Sequence, residues 1–274
     1  MGHHYLPRRL LRGFSMEDRV WTFDKVSHWH PKNLPISRVA QEPAMYTEEI
    51  EERLNNEVEQ PFNAILDRLD AGGNIELEDS EKIANYVLAT FRRVPVGRSR
   101  TFSVVPEVTE QVEREQYARI DLLERIDPSA QELAEKGREN VAEIFARIRG
   151  GNKDWLWHST LMPEKFSNLT TLLKKMSWNY RRAPLGRQIL IGDNPVLFDE
   201  SMGLINERAT LTVPIRYDGV LVGSWLKASQ RMCKILSPQQ VRFINYMIVA
   251  RSNRWVFCRE NEEWVAPFVR KHSA

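Results

Sequence analysis

The spacing of apolar residues changes partway along the chain, and this change constrains the fold more than any other feature. From Thr47 to about Leu69, apolar residues recur at three- and four-residue steps: Ile50, Leu54, Val58, Phe62, Ile65 and Leu69. That period puts them on one face of a helix. AGGN (71–74) stops it. A second helix is predicted from Ser80, an N-cap, to Arg93, with Ile83, Val87 and Phe91 on one face. Pro95 ends it. Pro106 opens a third helix to about Ile126, and Asp127-Pro128 breaks it. Ser129 caps a fourth, with Leu133, Val141, Ile144, Phe145 and Ile148 inward, and GGN (150–152) ends it.

Beyond residue 150 the pattern shortens. After Trp155, Trp157 and a short helical stretch near 163–176, RQILIG (187–192) reads as a buried strand. ATLTVPI (209–215) and GVLVGSW (219–225) read as a hairpin turning at Arg216, Tyr217 and Asp218. Ser237-Pro238 opens a helix to about Arg251, and RWVFC (254–258) is a closing strand. RVWTFD (19–24) is an early strand, and SHWHPKNLP (27–35) a loop broken by two prolines. The expected class is α+β, a helical N-terminal half packed on a mostly antiparallel sheet in the C-terminal half. A single domain of residues 1–274 is expected, with an N-terminal strand and loop segment (1–45), a helical portion (46–150) and a sheet-rich portion (151–274).

Length and composition agree: 274 residues, 42% hydrophobic and 28% charged, can bury a sizeable core. The net charge is only +2, from 39 Lys and Arg against 37 Asp and Glu, so polyanion binding must come from local clusters. Two cysteines, Cys233 and Cys258, fit a reducing cytoplasm rather than a disulfide scaffold. No apolar run approaches membrane-spanning length, and the first residues carry no secretory apolar segment, so a cytoplasmic protein without a membrane partner is expected.

One phrase occurs twice. FRRVPVGR (91–98) returns within NYRRAPLGRQILIGDNP (179–195), where a strand and then Gly192, Asp193, Asn194 and Pro195 follow. The arginines form three groups. Arg92, Arg93, Arg98 and Arg100 make one, Arg181, Arg182 and Arg187 a second, and Arg8, Arg9 and Arg12 a third. A guanidinium fork matches phosphate oxygens in pairs and keeps its charge. Tyr180, with Phe91 and Trp178, is placed to stack unpaired bases. The competing reading is plain surface arginines, some satisfying helix C-termini. If the two phrases line one cleft, Arg93 and Asp193 share a pocket. His4 beside these arginines is a candidate general acid or phosphate donor. Glu42 in VAQEP is a candidate base or helix cap. His28 and His30 stand two apart with no third ligand in view, so no metal site is expected. With no Gly-rich phosphate loop and no Gly-x-Ser-x-Gly, no cofactor is expected either.

His4-Tyr5-Leu6-Pro7-Arg8 with Leu11-Arg12-Gly13-Phe14, then Val20-Trp21, Asp24-Lys25, Val39-Ala40-x-Glu42, Met45-Tyr46, Arg93-x-Pro95, Asp193-x-Pro195 and the strand Leu211–Ile215, resemble a bacterial family known as domain of unknown function 4238. The series covers most of the chain in order. The chain departs from it at Met45, where an aromatic is common, and at Gly192, where a serine often precedes the acid. The resemblance implies no reaction; some members look like accessory genes of phage-defence loci. Separately, Ile191-Gly192-x-Asn194-Pro195 looks like the water-activating Gly-x-Asn-Pro loop of uracil-type DNA glycosylases, which holds Asp or Asn beside the sugar of a flipped nucleotide. Such a group stabilises an oxocarbenium-like sugar or orients water. The same four residues equally make a turn, with Asp and Asn bonding their own backbone.

The expected activity is a DNA glycosylase excising a modified base from phage DNA, with Asp193, Asn194, His4 and Glu42 at the reaction centre and the arginines on the backbone. Two alternatives remain open at this point. One is a metal-dependent defence nuclease using Glu42, Asp24, Lys25 and Asp193. The other is a non-catalytic nucleic-acid sensor. The expected partner is DNA.

Overall fold

The computed structural model describes residues 2–27, 30–150, 154–199, 201, 203–225 and 235–273. His28 and Cys233 lie outside them. The class is α+β, with helices mainly in the first half and antiparallel sheet mainly in the second. The chain clusters into two compact units, residues 1–96 with 161–274, and residues 97–160.

The first unit begins with β1 (Gly2–His4), which pairs antiparallel with β4 (Gln41–Pro43). Three-residue strands carry too little alternation to be read from sequence. Between them lie α1 (Arg8–Arg12), β2 (Arg19–Asp24) and β3 (Lys32–Pro35). The expected loop 27–35 therefore ends in a strand, which pairs β2 from Lys32 to Pro35, with Pro35 at its terminus. β9 (Trp255–Cys258) lies on the other side of β2, and β6 (Ile191–Gly192) pairs with β9, so one sheet takes strands from both ends of the chain. RQILIG thus forms a ladder only over its last two residues. The Leu190 amide donates instead to the Asn245 side chain at 2.9 Å, and the Ile189 amide to the Tyr217 carbonyl at 2.6 Å. A buried extended segment needs amide partners, but these need not be a strand.

The expected hairpin forms as β7 (Thr210–Arg216) and β8 (Gly219–Ser224), with β5 (Ser177–Arg182) on the other edge of β8. Helix α9 (Pro238–Arg251) starts on a reciprocal cap of Ser237 and Gln240, and α10 (Val265–Lys271) closes the chain.

The helix expected over 47–69 is two helices, α2 (Glu48–Leu54) and α3 (Gln60–Asp70), joined through a wide π turn at Asn55–Glu59. Thr47 caps it, accepting from the Ile50 amide. The spacing explains the wide turn. Ile50, Leu54, Val58 and Phe62 step by four, and each such step on an α-helix advances about 40° beyond a full turn. A turn with more residues per revolution absorbs that drift. All four side chains remain buried. Phe62 stacks on Tyr86 of α4 (Ser80–Arg93), with centroids 3.7 Å apart. On α4's other side packs α8 (Ser167–Leu173).

α5 runs Pro95–Ile126, eleven residues longer at its start than expected. Pro95 opens the helix as well as ending the previous one: Val94 alone is extended, and a proline at the first helical position loses no needed bond. Pro106 lies inside α5, on an exposed position. The second unit holds most of α5, with α6 (Gln131–Gly150) and most of α7 (Asp154–Leu161). Arg138 reaches Asp121 and Glu124, and Arg149 reaches Glu113, so ion pairs tie α5 to α6. Leu133 and Ile144, expected inward, are 63% and 52% exposed, whereas Ala134 and Phe145 are buried. A pair of helices covers only one narrow stripe on each, so half of the apolar positions of α6 stay outside.

Gly192 is explained by a neighbour. A Cβ there would fall 1.8 Å from the Ser252 hydroxyl, which is buried and donates to the Ile248 carbonyl at 2.6 Å. The Ser252 hydroxyl already fills the space a side chain at 192 would need. Gly192→Ser is expected to destabilise the fold by about 1–3 kcal/mol through overpacking. Combined with Ser252→Gly it should recover most of that loss, as read by urea unfolding; a double variant no better than the single would contradict this account.

Candidate functional site

A cavity of about 500 Å³ opens between the N-terminal segment and the α2–α3 helix. His4, Pro7, Arg8 and Arg93 form one wall, and Glu48, Glu51, Glu52, Asn55, Glu59 and Asn63 the other. The second wall is a polar stripe stepping by three and four, set beside the buried apolar stripe of the same helix.

Arg93 holds the first wall in place. It is 1% exposed. Its Nε donates to the Tyr5 carbonyl at 3.0 Å, one terminal nitrogen to the His4 carbonyl and the other to Glu59. Tyr46 donates its hydroxyl to the same His4 carbonyl at 3.2 Å and also meets Glu51. His3, on the opposite side of β1, stacks on Tyr46 at 4.8 Å and sits 3.5 Å from Glu48. The strand end carrying His4 is thereby fixed from four directions.

The electrostatics of this wall are specific. His4 is half-buried, and burial lowers its pKa from the ordinary histidine value of about 6.5. Arg8 and Arg93 lower it further, and the Val39 carbonyl and Glu59 oppose without cancelling. The imidazole is therefore neutral at physiological pH. Across the cavity, one carboxylate oxygen of half-buried Glu51 is sealed from solvent and has no hydrogen-bond partner among the described residues. Arg8 is exposed at the rim.

Asp193 sits elsewhere. It does not line this cavity. It is 2% exposed, and both its oxygens are occupied by the turn between α9 and β9: the Asn253 amide donates at 2.7 Å, Arg254 at 2.8 Å and Trp255 at 2.9 Å. Burial raises its pKa, against the pull of those three amides and of Lys25. Asn194, also buried, donates to the Arg251 carbonyl at 3.1 Å, and its side-chain oxygen has no partner among the described residues. Lys25 donates to the Val249 and Ser252 carbonyls, both at 2.6 Å, and Asp24 accepts from Arg254 at 2.8 Å. Glu42 lies in β4 opposite His3 and does not line the His4 cavity. Among the described residues no three His, Cys, Asp or Glu side chains are grouped as a metal-binding set.

The arginine groups do not converge into one cleft. Arg8 and Arg93 share the His4 cavity, while Arg12 pairs with Asp18 and Arg92 lies over the Phe166 ring at 5.1 Å. Arg98, in the second unit, pairs with Asp154 and lies 5.5 Å from the Phe102 ring. Arg181 and Arg182 follow Tyr180 along β5, and Tyr180 packs against Gly219 with Arg182 5.7 Å from its ring. Arg187 lines a different cavity with Trp264. The two copies of the Arg-Arg-x-Pro-x-Gly-Arg phrase therefore serve separate places. The glutamates and asparagines of the second wall carry no motif; their three- and four-residue spacing is the signal that marks them.

Two predictions follow from the geometry. Asp193→Ala strands three backbone amides of the turn and should cost about 1–3 kcal/mol of stability; a change under 0.5 kcal/mol in chemical denaturation would show the turn does not depend on it. His4 should titrate below about 6.5 in NMR spectra of its imidazole. Because the folded pKa lies below the unfolded one, His4 costs the fold nothing above about 6.5 and removes stability as pH falls beneath that value. Replacing His4 with Gln should flatten that acid-side loss.

No described helix is long and apolar enough to cross a membrane. No curated protein and no solved structure matches the chain. The pattern of the family described as Protein of unknown function (DUF4238) matches residues 2–262, nearly the whole length. The cavity wall built by His4 and Arg93, and the turn closed by Asp193, thus join stretches that lie far apart within the matched span, and the chain belongs to the DUF4238 family.

Proposed function

We propose that the chain hydrolyses an N-glycosidic bond in nucleic acid, with the His4 cavity as its reaction centre. The observation that carries this reading is the placing of a neutral imidazole on one wall of the cavity and the Glu51 carboxylate on the other. Breaking a sugar–base bond builds positive charge on the sugar, and a carboxylate lining the cavity stabilises that charge or orients water. Neutral His4 accepts the proton of the attacking water and passes it to the base, which leaves with the electron pair of the broken bond. Arg8, exposed at the rim, suits a phosphate next to the reacting sugar. Modified bases in phage DNA are the substrate class this reading favours, because flipping costs least where pairing is already weakened. Asp193 does not line this cavity and accepts from three backbone amides, so in this reading it supports the fold rather than the chemistry.

The test is incubation with modified and unmodified phage DNA, followed by alkali. Wild-type protein should leave alkali-labile sites on modified DNA. Glu51→Gln should lower the rate by about 100-fold or more, with unfolding temperature unchanged. DNA bound but never cleaved, or strand breaks with no alkali-labile intermediate, would overturn the reading.

A further inference from the structure

A second cavity, of about 430 Å³, lies at the start of α9 against α10, within the range of small-ligand pockets. Its residues are of two kinds. Trp264 and Phe268 make an aromatic wall, ring edge to ring face at 5.6 Å. Arg187 and Arg242 are exposed at the opening, and neither has a carboxylate partner among the described residues. Arg9, Arg53, Arg138, Arg216 and Arg254, by contrast, all pair with acids.

The aromatic wall is held rigidly. The Trp264 indole N–H donates to Glu262 at 3.0 Å. The other oxygen of Glu262 accepts from the buried Gln188 amide at 2.6 Å, and Gln188 also donates to the Glu260 carbonyl at 2.8 Å. Asn245 at the floor donates to the Gln188 carbonyl and accepts from the Leu190 amide. The floor is therefore satisfied and fixed, the ring orientation is set, and two guanidinium groups beside it remain unspent. A rigid indole offers its face to a planar heterocycle at little entropic cost, and paired guanidiniums take phosphate oxygens.

We propose that this cavity binds a nucleotide, its base against Trp264 and its phosphate between Arg187 and Arg242. The same chemistry is offered by a free mononucleotide and by one nucleotide of a single strand. The site is separate from the His4 cavity and does not rest on the activity assigned there.

The experiment is calorimetric titration of the full chain with AMP, adenosine, inorganic phosphate and a single-stranded dA8 oligonucleotide. AMP should bind at least tenfold more tightly than adenosine or phosphate, since it uses both halves of the site. The exposed pair Arg187→Gln with Arg242→Gln should weaken AMP at least tenfold while the unfolding temperature stays constant. Trp264→Ala should weaken it similarly, with Trp264→Phe intermediate. If dA8 binds more tightly than AMP and displaces it, the natural ligand is a strand; if dA8 is no better, it is a free nucleotide; both outcomes support the site. Failure of AMP and dA8 to bind, affinity unchanged in the double arginine variant, or phosphate binding as tightly as AMP would overturn it. Glu51→Gln should leave AMP affinity intact, so loss of the first reading and loss of this one are distinguishable.

Discussion

The N-terminal wall depends on one buried cation. Moving a guanidinium out of water costs several kcal/mol, which is recovered only when its donors meet acceptors in good geometry. Arg93 meets that condition with Glu59 and the carbonyls of His4 and Tyr5. The acceptors come from two segments far apart in sequence, the strand end at residues 4–5 and the π turn ending at Glu59. The bond therefore fixes where β1 ends relative to the helix, and with it the separation of His4 from Glu51. The one-residue break at Val94 then redirects the chain, since Pro95 cannot continue the α4 ladder.

A second latch uses the same logic with opposite charges. The end of α9 exposes carbonyls, and the turn after it exposes amides. Lys25 takes the carbonyls of Val249 and Ser252; Asp193 takes the amides of Asn253, Arg254 and Trp255. Each side chain arrives from a neighbouring strand of the same sheet, Lys25 just past β2 and Asp193 just past β6. Two dispersed phrases of the sequence, Asp24-Lys25 and Asp193-x-Pro195, thus meet at one turn. An acid-amide-proline phrase that looks like a catalytic loop in one dimension is, in three, a clamp on backbone.

What the sequence disclosed follows from which interactions are local. Long periodic helices were legible because burial repeats every turn: Ile50 to Leu69 and Ile83 to Val87 lie where their spacing put them. The 210–224 hairpin was legible because alternation and turn residues sit side by side. β1 and β4 were not, because three residues hold less than two periods and their pairing spans about forty positions. Leu133 and Ile144 misled because periodicity marks an apolar face without saying whether a neighbour covers it. His4 and Arg8 were legible as candidates from the family phrase. Glu51 was not, although Glu48, Glu51, Asn55, Glu59 and Asn63 form a polar stripe at helical spacing that could have been traced in the same way as the apolar one.

The arginines carry the wider consequence. Counting them along the chain pointed to three anion-binding walls, but a guanidinium binds phosphate only with donors it has not already spent. Arg93 has spent them on carbonyls and Glu59, Arg12 on Asp18, Arg98 on Asp154 and Arg216 on Asp70 and Asp218. The near-neutral balance of 39 basic and 37 acidic residues is the sequence-level trace of that pairing. Among the arginines that have no such pairing, Arg8 lines the rim of the His4 cavity, and Arg187 and Arg242 line the cavity beside Trp264. In both places the cation adjoins a group of a different kind, a neutral imidazole in one and a fixed indole in the other. It is this adjacency, rather than the density of positive charge, that gives each cavity a defined ligand chemistry.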